Sequence, residues 1–129
     1  HLIRQGSDVA AFANGQMVSM ALAAADQLAD EGISLRVVNV SSMKPADKAA
    51  LAALADGMKG VVTLEEHSLI GGLADLMREV LQGKPMPMRS VGIQDRFGQS
   101  AHSYEDLLEG YGLSQRHIAA AVRQVVKRN

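Results

Sequence analysis

The chain has no cysteine. That removes disulfides, thiolate metal sites and cysteine nucleophiles from consideration, and it is the usage expected of a cytoplasmic protein. Aromatic residues are scarce: Phe12, Phe97, Tyr104 and Tyr111 are scattered and supply no platform for stacking bases. Neither sign of charge dominates, with 13 basic against 14 acidic side chains and no basic stripe, so a nucleic-acid partner is not expected. No apolar run approaches the ~20 residues of a membrane span and no signal peptide is visible, so no membrane partner is expected either. Several chemical motifs are missing as well. The segment after Val9–Ala13 lacks the glycine spacing of a dinucleotide fold, and no phosphate-binding P-loop or Gly-x-Ser-x-Gly elbow occurs. The acidic residues that a phospho-acceptor domain carries after its first parallel strand are absent too. Asn39-Val40-Ser41 fits the glycosylation pattern, but in a cysteine-free chain it reads as a chance match.

What is present points to alternating strands and helices within one domain, residues 1–129. The chain begins at His1 rather than at methionine, which suggests processing or excision from something longer. The organising stretch is Gly60 to Gly72. Val61 to Leu64 is an apolar run without polar alternation, as in a strand covered on both faces. Leu73, Leu76, Met77, Val80 and Leu81 then form one stripe of a helix that ends near Gly83. Upstream, Leu2-Ile3 and Val9–Ala13 are strand candidates, and the short turn between them predicts an antiparallel pair. Met17, Ala21, Ala24, Ala25 and Leu28 mark a helix face closed by Gly32. Leu35 to Val40 is a strand, and a helix over residues 45–55 starts at Pro45 with Asp47 in its first turn. Met88 to Ile93 is the last strand. A short helix over residues 104–109, capped by Ser103, and a final helix capped by Ser114 follow. The expected fold is α/β: a three-layer α/β/α sandwich on a five-stranded, mostly parallel sheet whose first strand is antiparallel.

Parallel sheets place their sites at the carboxyl ends of the strands. Glu65, Glu66 and His67 fall there, followed by Gly71 and Gly72, which allow close backbone approach. A carboxylate orienting the imidazole could serve proton transfer or metal binding. The plainer alternative is that these charges solvate a loop, pair with neighbours or cap the following helix. Asp95, Arg96 and His102 lie in the loop after the last strand. Arg96 could grip a phosphate bidentately, or pair with an acid and fix the loop. The seven methionines read as core filler, and His117 as a surface residue. Nothing in this set identifies a catalytic, cofactor or metal residue. Glu65, Glu66, His67, Gly71, Gly72, Asp95, Arg96 and His102 stand as candidates for an interface or an anion site.

Four stretches, in order and over nearly the whole chain, resemble the C-terminal domain of transketolase. They are Ala13-Asn14-Gly15 leading to Ala23-Ala24-Ala25; Val37-Val38-Asn39 with Lys44-Pro45-x-Asp47; Val62-Thr63-Leu64-Glu65-Glu66-His67 with Gly71-Gly72-Leu73; and Gly92-Ile93-x-Asp95-Arg96-Phe97-Gly98-Gln99-Ser100 with Tyr104-Glu105-x-Leu107-Leu108. The C-terminal domains of deoxyxylulose-phosphate synthase and of the 2-oxoacid dehydrogenase β subunit are similar but fit the last stretch less well. The resemblance implies a parent enzyme that uses thiamine diphosphate and a divalent metal (Mg) to move a two-carbon ketol unit between sugar phosphates. It also implies that this chain holds neither, because the Gly-Asp-Gly metal motif and the activating glutamate belong to the pyrophosphate- and pyrimidine-binding domains. The implied role is packing on those domains, in the same chain or a separate subunit, and support of a homodimer. An isolated chain is then inactive. The competing expectation is a stand-alone anion- or nucleotide-binding regulatory module working at the carboxyl edge; a third is self-association through surface that a partner domain normally covers.

Overall fold

The computed structural model describes residues 1–15, 17–40, 47–66, 72–93 and 104–127, with the backbone alone for Glu66, Ile93 and residues 104–114. The elements are β1 (Leu2–Arg4), β2 (Val9–Ala13), α1 (Met17–Ala29), β3 (Leu35–Asn39), α2 (Lys48–Ala55), β4 (Gly60–Glu66), α3 (Gly72–Val80), β5 (Met88–Ile93) and α4 (Tyr104–Lys127). The sheet order is β1-β3-β2-β4-β5, with β1 antiparallel to β3 and the other neighbours parallel.

The two central strands are apolar without alternation because both of their faces are covered. Ala11 and Ala13 of β2, with Val62 and Leu64 of β4, lie on one face beneath α1 and α4. Ala10, Phe12 and Val61 lie on the other face beneath α2 and α3. The buried stripe of α1 includes Ala21, Ala24 and Ala25, whose small side chains let the helix sit close to the sheet. Gly32, at φ +80°, ends α1: its N–H donates to Ala29 and the Ile33 N–H to Leu28, satisfying carbonyls the helix leaves open. Helices change face where the chain reverses direction across the sheet, as right-handed crossovers require: α1 leads outward from β2, whereas α2 and α3 lead the other way.

The structure departs from the sequence reading at four points. First, β1 pairs with β3, not with β2. The chain leaves β1, crosses the start of β3 and enters β2 on the far side. A β-carbon on Gly6 would lie 2.2 Å from the Arg36 nitrogen and 2.3 Å from the Leu35 carbonyl carbon, so only glycine fits that crossing. Second, Asp47 is the N-cap of α2 rather than a first-turn residue; its carboxylate accepts the Ala50 N–H at 3.0 Å. Pro45 lies outside the described residues. Third, the two C-terminal helices are one, α4, running unbroken through Gly110, Gly112 and Ser114. Each interior glycine costs about 1 kcal/mol relative to alanine, and the buried stripe of Ile118, Ala119, Val122 and Val125 anchors the helix against α1 and the sheet. Fourth, α3 ends at Val80, and Leu81 to Gly83 form a turn rather than its last residues.

Candidate functional site

The topology makes the carboxyl ends of β2 and β4 the place to look. The connections from these adjacent strands run to opposite faces of the sheet, which opens a crevice between them. Asn14 and Gly15, at φ +55°, follow β2 at that edge. Glu65 sits at the end of β4, in register with Gly92 of β5.

Glu65 is 2% exposed, one of two buried polar residues in the described part of the chain. Its carboxylate accepts the Leu73 N–H at 2.6 Å and the Ala74 N–H at 3.4 Å. These are amides of the first turn of α3, which has no helical acceptor for them. A negative charge on the positive end of the helix dipole adds to the effect. Glu65 therefore caps α3 from the neighbouring strand and locks the β4–α3 connection. Its backbone belongs to the sheet and its side chain faces inward.

The α3 N-terminus already holds a carboxylate, so a diphosphate or other anion approaching those amides meets a buried negative charge. No group of three or more acidic or histidine side chains among the described residues could hold a metal. Gly72 is the first residue of α3, and Glu66 closes β4 in register with Ile93. His67, Gly71, Asp95, Arg96 and His102 lie outside the described residues, as does Phe97. The structure thus brings Glu65 and Gly72 together as strand end and helix start. His117 is on the surface of α4, as expected.

Sequence reasoning passed over two features. At the carboxyl end of β3, Asn39 holds its side-chain oxygen buried without a hydrogen-bond partner. Its backbone N–H donates to the His1 carbonyl at 2.8 Å, fixing the chain start to the carboxyl end of β3. A polar residue ending an apolar strand was the available signal. At the opposite, amino edge, Asp8 ties three strand starts together. It accepts the Ser34 N–H at 2.7 Å and pairs with Lys59 at 3.3 Å, while its carbonyl accepts the Lys59 N–H. The Ser34 N–H is the larger cause of a carboxyl held below its ordinary value, and the Lys59 ammonium adds to it against the opposing effect of burial. No helix among the described residues is long and apolar enough to cross a membrane.

Comparison with known proteins gives this arrangement a family. Residues 1–118 match the profile described as transketolase, C-terminal domain. A 6-deoxy-6-sulfo-D-fructose transketolase subunit of Clostridium sp. (strain MSTE9) is 41% identical over 98% of this chain and 39% of its own length. A 1-deoxy-D-xylulose-5-phosphate synthase of Heliobacterium modesticaldum (strain ATCC 51547 / Ice1) is 40% identical over 96% of this chain and 19% of its own length. Among solved structures, a split-gene transketolase described as an inactive beta4 tetramer superposes with a TM-score of 0.79 at 42% identity, covering 98% of this chain and 42% of that one. The chain thus spans about two fifths of the transketolase subunits it matches and about one fifth of the synthase. On a profile match over most of its length and a sheet shared with a split-gene transketolase, the chain belongs to the transketolase C-terminal domain family.

Proposed function

We propose that this chain is the C-terminal structural and assembly domain of a transketolase-type enzyme, one that moves a two-carbon ketol unit between sugar phosphates with thiamine diphosphate and magnesium held elsewhere. The observation that carries the reading is the committed carboxylate of Glu65. At the edge where parallel sheets bind ligands, Glu65, the buried acid among the described residues, stabilises its own helix and has no open face for a substrate. The pyrophosphate- and pyrimidine-binding domains supply the cofactor site. This domain packs on them and supports their homodimer in the cytoplasm. Residues 67–71, with His67 and Gly71, and residues 94–103, with Asp95, Arg96 and His102, are assigned to that interface. A stand-alone anion-binding module would use the same edge, but the filled α3 N-terminus weighs against it.

The test is a ketol-transfer assay on the purified chain with thiamine diphosphate, magnesium and a pentulose phosphate donor. No turnover above background, and no heat on titration with thiamine diphosphate, is expected. Turnover by the pure chain refutes the reading. A second parent is supported by the match to 1-deoxy-D-xylulose-5-phosphate synthase at nearly the same identity. Assaying the longer enzyme for formation of 1-deoxy-D-xylulose 5-phosphate separates the two.

A further inference from the structure

The two edges of the sheet are built differently. β1, at one edge, has three residues, and its pairing with β3 shifts register between Leu2 and Arg4. Short, irregular edges of this kind resist further pairing. β5, at the other edge, has six residues in unbroken register with β4 from Met88 to Ile93, with no proline or bulge inside it. Its outer side is the natural template for another strand.

The direction of its main-chain groups follows from one bond. The Pro87 carbonyl accepts the Val61 N–H at 2.9 Å and so points inward. Because these groups alternate along a strand, the N–H and C=O of Met88, Ser90 and Gly92 point outward, away from β4. Side chains alternate across the sheet as well. Met88 and Ser90 share the α2/α3 face, as the Thr63–Ser90 hydroxyl bond of 3.0 Å shows. Arg89, in register with Val62, lies on the α1/α4 face. Beside the edge, on the α3 side, a groove of about 620 Å³ is lined by Leu81, Met86 and Met88, with Arg78, Arg89 and Ser90 at its margin. Among the described residues, no acid lines it. Among the described residues, Arg89 pairs with no acid and is exposed.

We propose that the outer edge of β5 docks an extended segment of a partner protein with alternating apolar and acidic residues. The segment hydrogen-bonds to the outward main chain at Met88, Ser90 and Gly92. It lays apolar side chains toward Leu81, Met86 and Met88, and sets a carboxylate beside Arg89. Strand addition draws affinity from the main chain and specificity from alternate side chains. Charge selects the occupant here: a second copy of β5 brings another Arg89 to the same face, whereas an acidic strand brings the counter-ion. The assignment does not depend on which reaction the longer enzyme performs.

The test uses two fluorescein-labelled six-residue peptides on the 129-residue chain, one alternating glutamate and valine and one alternating lysine and valine. Anisotropy is expected to show the acidic peptide binding at least about tenfold more tightly than the basic one, and Arg89→Glu is expected to reverse that order. Amide exchange at Ser90 and Gly92 should slow when the acidic peptide is bound. Ser90→Pro removes an outward N–H at an edge position that tolerates proline, so it should abolish binding while thermal unfolding stays cooperative. Equal affinity for both peptides, no binding up to millimolar concentration, or binding without protection at Ser90 overturns the proposal. So does concentration-dependent dimerisation that protects these amides without peptide, which assigns the edge to a second copy.

Discussion

Replacing Glu65 tests whether the most conspicuous charged stretch of the sequence is structural or chemical. In Glu65→Ala, the Leu73 and Ala74 amides lose their acceptor inside a site that is 2% exposed, so water does not readily replace it. A hydrogen bond to a charged group contributes about 1.5–3 kcal/mol. The 2.6 Å bond belongs in the upper half of that range, and the 3.4 Å bond adds little. Truncating the buried stem adds lost packing. The expected cost is about 3 kcal/mol. For an unfolding slope in urea of roughly 1.5 kcal/mol per molar, the midpoint falls by about 2 M. Glu65→Gln keeps the shape and one acceptor but loses the charge on the helix dipole and turns an N–H₂ toward one of the amides; about 1–2 kcal/mol is expected. The order wild type, Gln, Ala should therefore appear in urea melts followed by circular dichroism. Hydrogen exchange at Leu73 and Ala74 should accelerate in the same order. If Glu65→Ala unfolds within about 0.5 kcal/mol of wild type, Glu65 does not hold α3, and a ligand or proton-transfer role regains the field.

Other expectations follow from the same structure. Gly6→Ala places a β-carbon inside the backbone of β3 and should cost at least about 2 kcal/mol, with amide exchange accelerating first in β1. Phe12→Ala empties a fully buried position on the α2/α3 face and should cost about 3–5 kcal/mol in the same urea assay. Asp8 has a folded carboxyl value below its ordinary 3.8, so its contribution is complete above that value and is lost as the pH falls through the lower, folded one. Asp8→Asn should therefore flatten the acid limb of the stability profile while lowering stability at neutral pH, as read from thermal melts between pH 2 and 7.

Much of this fold is legible in the sequence because its central strands are apolar on both faces. β2 and β4 have no alternation to misread, and the glycines at 32 and 57, both at φ +80°, end their elements where the pattern stops. The β1 error has a physical source. A short turn between two apolar segments signals a hairpin, but nothing local reveals that a third strand slots between them; the only trace is Gly6, whose hydrogen side chain is required by a neighbour 30 residues away. The splitting of α4 came from weighing Ser114 as the cap of a new helix. Tertiary burial of the stripe from Ile118 to Val125 outweighs that local preference. At the site, the spacing of Glu65 and His67 could not show where either side chain points. Only the fold shows that Glu65 faces inward, where its carboxylate accepts the amide of Leu73, eight residues away. Asp8 was invisible for the same reason, since its partners Ser34 and Lys59 meet it only across the sheet.

The central claim is that this chain completes an enzyme whose chemistry is housed in other domains. Reading the source gene upstream of the codon for His1 tests it most directly. The account predicts an open frame that continues into a pyrimidine-binding domain, with a Gly-Asp-Gly domain further upstream or in a neighbouring gene. A frame that starts immediately before His1, with no such domain adjoining it, would contradict the account.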